Sequence, residues 1–600
     1  MSVAPSPKSA SSSEAGGITS AFTLAVAGAM LLGAFLRMWK LELHGLWLDE
    51  LFTVRVVSMD SWSGLVQQLA IDVHPPLYYA SLRLWSAVAG TTDMAWRLPS
   101  ALAGVCSVGG AAVLGRHLFG PMVGMGSAWM VAVSPFIVAL DREARGNAWM
   151  LCLGLWASVI LAGNIKSKMT RKVMVSYLAC SVALVYTHVF GIFVLVGHLV
   201  WLILEWMDEA VVSPRQWACA IGAALASVLP WSPWLFGQVQ GFRADPWYAV
   251  PSADSLGYLW FALSRDFSGL AISLGLGVAL VLVNIAAHDA DEKSTRMRTG
   301  VLCAISMVVG LVLVPQVISY VVAPILRPRN VVVLLAVMCV VSSAGWLSLG
   351  LRVVRISCFV LVVGLHLLVT LRSVFYDHGR EEWREAAAEV RDNWTEGERV
   401  FANHPYLWAH YLPGIHIESE TMAVPQTNES FWVLAGHDTN HAMVQAVQSL
   451  PVAKEDWEFR GARALRVSPS AWLLDLEEKA RAGGHWKDGH VAWYMNNSFR
   501  SSERLLSGKC RISLYGWGDF AGGEPAKIAV RVWAEGETVF ADELQLPSGL
   551  ERRHSAFFDA PRGDAFVELA FVNDEELVGP TKKEDRNAYL KQAWVACVAR

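Results

Sequence analysis

A chain of 600 residues in which 54% are hydrophobic and only 17% are Lys, Arg, Asp or Glu is too apolar for a soluble protein, where about a quarter of residues are charged. Its 49 basic and 53 acidic residues leave a net charge of -4, which excludes the global positive field that a nucleic acid partner requires. The charge is also unevenly placed. No Asp, Glu, Lys or Arg lies between Lys172 and Glu205 or between Asp266 and Asp289, whereas the chain after Phe375 is dense in charge. This pattern predicts a polytopic all-α membrane domain followed by a water-soluble tail.

Residues 1–19 are small and polar and read as a disordered cytoplasmic lead-in, not a cleaved leader, because no small-residue cleavage site follows the first apolar run. At about 20 residues per crossing, spans fall near 20–39, 98–115, 122–140, 147–163, 173–188, 189–206, 218–236, 270–287, 300–320, 331–349 and 356–372. Lys and Arg gather on the cytoplasmic side of short loops. The basic stretch 166–172, the Lys293/Arg296/Arg298 cluster and Arg352/Arg355 then place the N-terminus on the cytoplasmic side of the membrane and the tail outside. Residues 40–97 become the first outer loop. Within it, Pro76 to Ala89 is apolar but too short to cross, which predicts a helix lying along the membrane.

Candidate chemistry gathers on that outer face. Asp49 and Glu50 directly follow the first span and are flanked by Trp47, Leu48, Leu51 and Phe52, so the pair sits at the membrane interface, where a carboxylate is tuned by desolvation or by a basic partner. His74 precedes two prolines that fix the start of the short helix; it serves either as a site residue or as a helix cap. Arg142 and Arg145, three apart, and Arg329 occupy outer loops, against the usual charge bias. Guanidinium groups at headgroup depth suit a phosphate, the alternative being anchors that snorkel to the interface. Tyr186 and His188 end a span without ionised side chains and reach either the same cavity or each other. Together these are the parts of an enzyme acting on a phosphorylated lipid.

The motifs WLDE at 47–50, DVHPPLYY at 72–79, WRLPSALAG at 96–104, GRHLFG at 115–120, SPFIVALDREARGNAW at 134–149 and PRN at 328–330 resemble, in order and spacing, those of the bacterial relatives of protein O-mannosyltransferases and of the aminoarabinose transferase, membrane glycosyltransferases of the GT-C type. The resemblance covers about residues 20–400. It implies an inverting glycosyltransferase with its site in the first outer loop and a polyprenyl-phosphate sugar as donor. Asp49 matches the catalytic aspartate, with Glu50 beside it and His74 opening the HPP motif; Arg145 and Arg329, with Arg142 near them, are implied to hold the donor phosphate. Gly146-Asn147 and Asn330 stand where the pattern usually has aromatics. Glu50 and His74 also offer two ligands to a divalent cation, fewer than a protein-held metal ordinarily takes. Transfer of a lipid-linked phosphoryl or acyl group, or transport of a lipid-linked glycan, are the competing readings; a transporter would show paired repeats, and none is evident.

In the tail, 376–500 reads as a small extracytoplasmic α/β domain, with an amphipathic helix near 381–394 and strands at ERVFAN and SFWVLAGH. Residues 501–600 alternate in the manner of a β-sandwich. Cys510 and Cys597 are the two cysteines outside the membrane domain, where oxidation is permitted, and either pair or remain thiols. The closing stretch, with Asn573-Asp574, Asp585-Arg586-Asn587 and Tyr589, resembles calcium-dependent xylan-binding modules. That resemblance implies a calcium ion at Asp574, Asp585 and Asn587, whose oxygens are the hard ligands calcium prefers, and an extracytoplasmic glycan as acceptor.

Overall fold

The structure is a computed structural model. It describes residues 8–599 apart from 73, 209, 245–254, 288–291, 377–379, 420–429, 441, 449–452, 469–470, 474–484, 488–489, 494–496, 501–507, 522–523, 535–536, 547–551, 561–564, 573–575, 579–582 and 586–587. The chain divides into two compact units, Met1–Glu382 and Trp383–Arg600.

The first unit is helical: α1 Lys8–Met38, α2 Leu48–Val57, α3 Trp62–Ile71, α4 Pro76–Ala89, α5 Asp93–Phe119, α6 Pro121–Ala132, α7 Pro135–Asp141, α8 Asn147–Asn164, α9 Arg171–Thr187, α10 Gly191–Met207, α11 Pro214–Ala226, α12 Ser232–Ala244, α13 Ser255–Leu263, α14 Ser268–Ala287, α15 Glu292–Val308, α16 Val314–Val321, α17 Val332–Trp346 and α18 Arg352–Phe375. Among the described residues, 8 helices are long and apolar enough to cross a membrane, or up to 9 if the bent α6–α7 pair is one span. This is a multi-pass membrane protein. Of the expected crossings, the remaining two coincide with α9 and α10, each 17 residues long. The expected disordered lead-in is helical from Lys8 onward.

Local chemistry sets the breaks that matter for the site. The prolines place Pro76 in the first turn of α4, and Gly90, at φ 82, ends the helix, a left-handed conformation that glycine adopts without penalty. Thr92 caps α5 by accepting from the Ala95 amide at 3.1 Å. Between α6 and α7, Pro135 cannot donate to the preceding turn, and the axis bends by 62°. The Val133 carbonyl freed by that break accepts from Thr370 Oγ1 of α18 at 2.6 Å, as an apolar interior requires. The bend delivers Asp141 and the loop 142–146 to the C-terminal end of α1, where Arg37 donates to Asp141 at 2.8 Å with both side chains fully buried. Gly104 of α5 makes room for this pair, since a Cβ there would meet Asp141 Oδ2 at 2.3 Å.

The second unit begins with α19, Trp383–Asn393. A sheet of order β2-β1-β3-β5-β4 follows, built from β1 Arg399–Ala402, β2 Ile417–Ser419, β3 Phe431–Gly436, β4 Ala453–Phe459 and β5 Ala462–Ser468. The β1 pairings are parallel, and those of β5 are antiparallel. Beyond it come β6 Ala471–Leu473, β7 His485–Lys487, β8 His490–Trp493, β9 Asn497–Arg500, β10 Gly508–Gly518, β11 Phe520–Ala521, β12 Glu524–Ala534, β13 Glu537–Leu546, β14 Arg552–Ala560, β15 Ala565–Phe571, β16 Glu576–Val578, β17 Lys583–Asp585 and β18 Ala588–Ala599. β10, β14 and β18 belong to one antiparallel sheet and β12, β13 and β15 to another. Ile512, Leu514 and Phe558 of the first share one apolar cluster with Ile528, Val530, Val532 and Leu569 of the second. β6 and β8 pair with β18, and β9 with β15. Strands within 471–500 therefore pair with strands of the later sheets. Cys510 is disulfide-bonded, and the residue opposite it in register is Cys597.

Candidate active site

The site forms where α2, the start of α4, the loop 142–146 and the stretch before α17 meet. Asp49 lies in the first turn of α2. Its Oδ2 is paired with Arg329 NH1 and lies 4.0 Å from Arg145 NH2, and its side chain keeps 27% of its exposure. Burial pushes this carboxyl up, but the guanidinium charges of Arg145 and Arg329 outweigh it and bring the pKa down to about 2.

Arg145 is the organiser. NH1 donates to the Asp49 carbonyl at 3.0 Å, Thr53 Oγ1 at 3.1 Å and Tyr79 Oη at 3.4 Å, while NH2 contacts His74 Nε2 at 2.8 Å. Arginine has donors alone, so Nε2 accepts and the ring proton sits on Nδ1. That nitrogen lies 2.6 Å from Asp72 Oδ2, so a carboxylate fixes the imidazole tautomer. The His188 ring stands edge-on to His74 at 6.2 Å. Tyr186 is elsewhere, its hydroxyl donating to the Ser227 carbonyl at 2.8 Å.

Two expected site residues carry the scaffold. Glu50 is fully buried and grips Arg97 of α5 with both oxygens, at 2.7 and 2.6 Å, while also accepting from the Ala144 amide at 2.7 Å. Arg142 donates to the carbonyls of Leu36, Arg37, Trp39 and Lys40, closing the C-terminal end of α1. Its terminal nitrogens are engaged there and not at the Asp49 carboxylate.

Asp72, Arg97 and Arg380 escaped sequence reasoning. The first two lie inside recognised motifs, where any polar position could be the active one, and Arg380 follows the last span. Arg380 is ion-paired with Glu143 and stacks over the Trp47 ring at 4.3 Å, as Arg329 does at 5.2 Å. Beside Arg329 opens a cavity of about 590 Å³ with Arg265, Arg327, Arg372 and Arg380 on its wall.

The donor set does not fit a divalent cation, because Asp49, Glu50 and His74 each face an arginine that would repel one. Among the described residues, no group of three or more His, Cys, Asp or Glu side chains could hold a metal ion. Of the expected calcium ligands, Asp574 and Asn587 lie outside the described residues, and Asp585 is described only as part of β17, paired with Glu576. Tyr589 stacks on Trp517 at 5.0 Å and donates to Asp519 at 3.0 Å.

Residues 73–234 match a family model described as dolichyl-phosphate-mannose-protein mannosyltransferase. No curated protein matches. Among solved structures, ArnT from Cupriavidus metallidurans aligns at 10% identity over 75% of this chain and 98% of its own, with a TM-score of 0.49. The oligosaccharyltransferase of Archaeoglobus fulgidus aligns at 9% identity over 94% and 95%, with a TM-score of 0.45. The protein O-mannosyltransferase Pmt1-Pmt2 complex of S. cerevisiae aligns at 16% identity over 41% and 37%, with a TM-score of 0.28.

Proposed function

We propose that the chain is an inverting, polyprenyl-phosphate-sugar-dependent glycosyltransferase of the inner membrane, acting on an extracytoplasmic hydroxyl acceptor, with a glycan as the favoured class. The observation that carries this reading is Asp49, an exposed-edge carboxylate held between two arginines at the head of α2. The family match over 73–234, which includes His74 and Arg145, supports it.

Asp49 takes the proton of the acceptor hydroxyl as that oxygen attacks the anomeric carbon. The bond from carbon to phosphate oxygen breaks on the opposite side, and the electron pair leaves with the polyprenyl phosphate. Arg145 and Arg329 stabilise the developing charge, so no second carboxylic acid is needed. With a pKa near 2, Asp49 is a weak base while Arg329 holds it. A donor phosphate competes for that guanidinium, and a carboxylate relieved of its partner becomes more basic. The base is therefore strengthened when the donor is in place.

Replacing Asp49 with Asn tests the reading. Purified variant in lipid should stay folded at neutral pH, with a cooperative thermal transition lowered by no more than the roughly 2 kcal/mol that the Asp49 charge contributes, and should keep its binding of undecaprenyl phosphate while transfer to acceptor falls by at least about a hundredfold. Transfer at the wild-type rate would rule out this base.

A further inference from the structure

We propose that His188 is a further hydrogen-bonding group for the phosphate of the lipid-linked sugar: a neutral imidazole whose Nε2–H bonds to the phosphate that Arg145 and Arg329 also address. The inference rests on the glycosyltransferase reading and adds to its site a residue that the mechanism above leaves unused.

The backbone sets the placement. α9 ends at Thr187, and His188 follows in an extended conformation at φ -151 and ψ 134, its amide still bonded to the Leu184 carbonyl at 3.1 Å. Gly191 opens α10 so close behind that a Cβ there would meet the Leu184 carbonyl oxygen at 2.8 Å, and its amide donates to the His188 carbonyl at 2.8 Å. A link this short leaves the imidazole little freedom of direction. The loop that carries Arg145 packs on the same turn, since a Cβ at Gly146 would stand 3.3 Å from the Thr187 carbonyl oxygen. His188 is thereby set beside the site, edge-on to His74 at 6.2 Å and within electrostatic reach of Arg145 and Arg329.

One hydrogen bond fixes the proton. The Phe190 amide donates to His188 Nδ1 at 3.2 Å; Nδ1 therefore presents a lone pair, and the neutral ring carries its proton on Nε2. This is the opposite tautomer to that of His74, whose Nδ1 faces Asp72. Among the described residues, His188 Nε2 has no hydrogen-bond partner, and it is not one of the polar atoms sealed from solvent, for the residue keeps 7% of its exposure. The acceptors around it are already engaged: Asp49 by Arg329 and Arg145, Asp72 by His74, and His74 Nε2 by Arg145. An acceptor for this N–H comes with the ligand, and the ligand that two guanidinium groups address is a phosphate.

The chemistry suits a neutral group in this role. The phosphodiester of the sugar donor carries a single negative charge, which the two arginines already match. As the bond from the anomeric carbon to the phosphate oxygen breaks, the electron pair moves onto that oxygen and the charge of the phosphate rises. The hydrogen bond from Nε2 strengthens with that charge while its proton stays on the imidazole, so the departing phosphate is held more firmly than the bound donor.

The test uses the full chain in lipid nanodiscs and two probes: undecaprenyl phosphate, which is the leaving group, and undecaprenol, which lacks the phosphate. The side-chain amide of asparagine reaches as far as Nδ1 of an imidazole, and that of glutamine as far as Nε2. His188→Asn thus keeps an oxygen for the Phe190 amide and loses the outward N–H, whereas His188→Gln keeps an outward N–H. His188→Asn should weaken undecaprenyl phosphate binding by roughly tenfold to a hundredfold, as loss of a hydrogen bond to a charged group does, and His188→Gln should stay within about threefold of wild type. Undecaprenol binding should change in neither. The phosphorus NMR resonance of bound undecaprenyl phosphate should move in His188→Asn, a shift that a brace between α9 and α10 would not produce. If His188→Asn binds the phosphate as tightly as His188→Gln, or more tightly, the assignment of His188 is overturned and the glycosyltransferase reading stands. Wild type that binds undecaprenyl phosphate no better than undecaprenol strikes that reading and the proposal with it, so the two failures are told apart.

Discussion

The Glu50–Arg97 pair decides whether Glu50 reacts or positions. Arg97 donates through Nε and NH2 to the two Glu50 oxygens and, through NH1 and NH2, to the carbonyls of Leu41, His44 and Gly45 at 2.9, 2.7 and 2.8 Å. Glu50 in turn accepts from the Ala144 amide and, at 3.4 Å, from the Trp47 amide. The pair thus ties the segment after α1, the first turn of α2, α5 and the loop carrying Arg145 into one piece. Glu50→Gln keeps the shape but turns one acceptor oxygen into a donor facing other donors, and leaves Arg97 a buried, uncompensated charge. Removing one partner of such a pair costs about 3–5 kcal/mol, and Asp49, one residue away, loses its fixed position.

Thermal unfolding and transfer measured on wild type, Glu50→Gln, Arg97→Gln and the double variant make the test. Each single variant should unfold several degrees early and lose activity. The double variant should be less destabilised than the sum of the singles by on the order of 1–3 kcal/mol, because it removes the charge imbalance as well as the bond. A Glu50→Gln protein that unfolds at the wild-type temperature yet transfers nothing would refute the reasoning and make Glu50 a chemical participant.

Asp49 gives a pH dependence. Its folded pKa of about 2 lies below the ordinary 3.8, so its contribution to stability is complete above about pH 4 and disappears as pH falls toward 2; it amounts to roughly 2 kcal/mol. Acid unfolding of Asp49→Asn should lack that segment, and parallel curves would contradict it. Asp72→Asn removes the carboxylate that holds the His74 proton on Nδ1; kcat should fall about tenfold with little change in KM. A histidine nitrogen NMR spectrum unchanged from wild type would show that Asp72 does not set the tautomer. Gly104→Ala pushes a methyl into the fully buried Arg37–Asp141 pair, within 2.3 Å of Asp141 Oδ2 and 2.7 Å of Arg37 Nε. It should cost about 3 kcal/mol or more, and wild-type thermal unfolding of this variant would disprove the contact.

Much of the membrane unit is legible because its signals are long. Runs of apolar residues near twenty in length, ended by proline, glycine or charge, mark α1, α5, α8, α14, α17 and α18 on sequence grounds, and Pro75-Pro76 fixes the start of α4. The second unit is harder to parse, because short strands carry no mark of their partners. Nothing in AWL at 471–473 or NSFR at 497–500 says that they pair with β18 and β15, since such pairings join residues far apart in the chain and depend on the whole sheet.

The arginines show where sequence reading stops. Arg37, Arg97, Arg142, Arg145 and Arg329 are alike in type, and all follow or precede spans near the expected outer face. What separates them is what they donate to. Arg142 faces only carbonyls among its hydrogen-bond partners, and Arg37 and Arg97 divide their bonds between carbonyls and a buried carboxylate; this is the chemistry of closing helix ends where water is scarce. Arg329 and, at 4.0 Å, Arg145 pair with a carboxylate that is still partly exposed, and Arg145 also links that carboxylate's residue to a histidine. A guanidinium saturated by carbonyls has nothing left for a phosphate, whereas one paired with an accessible carboxylate can exchange that partner for a stronger anion. The same residue type therefore builds both the frame and the reactive centre, and only the acceptors, assembled by the fold, assign each arginine to one or the other.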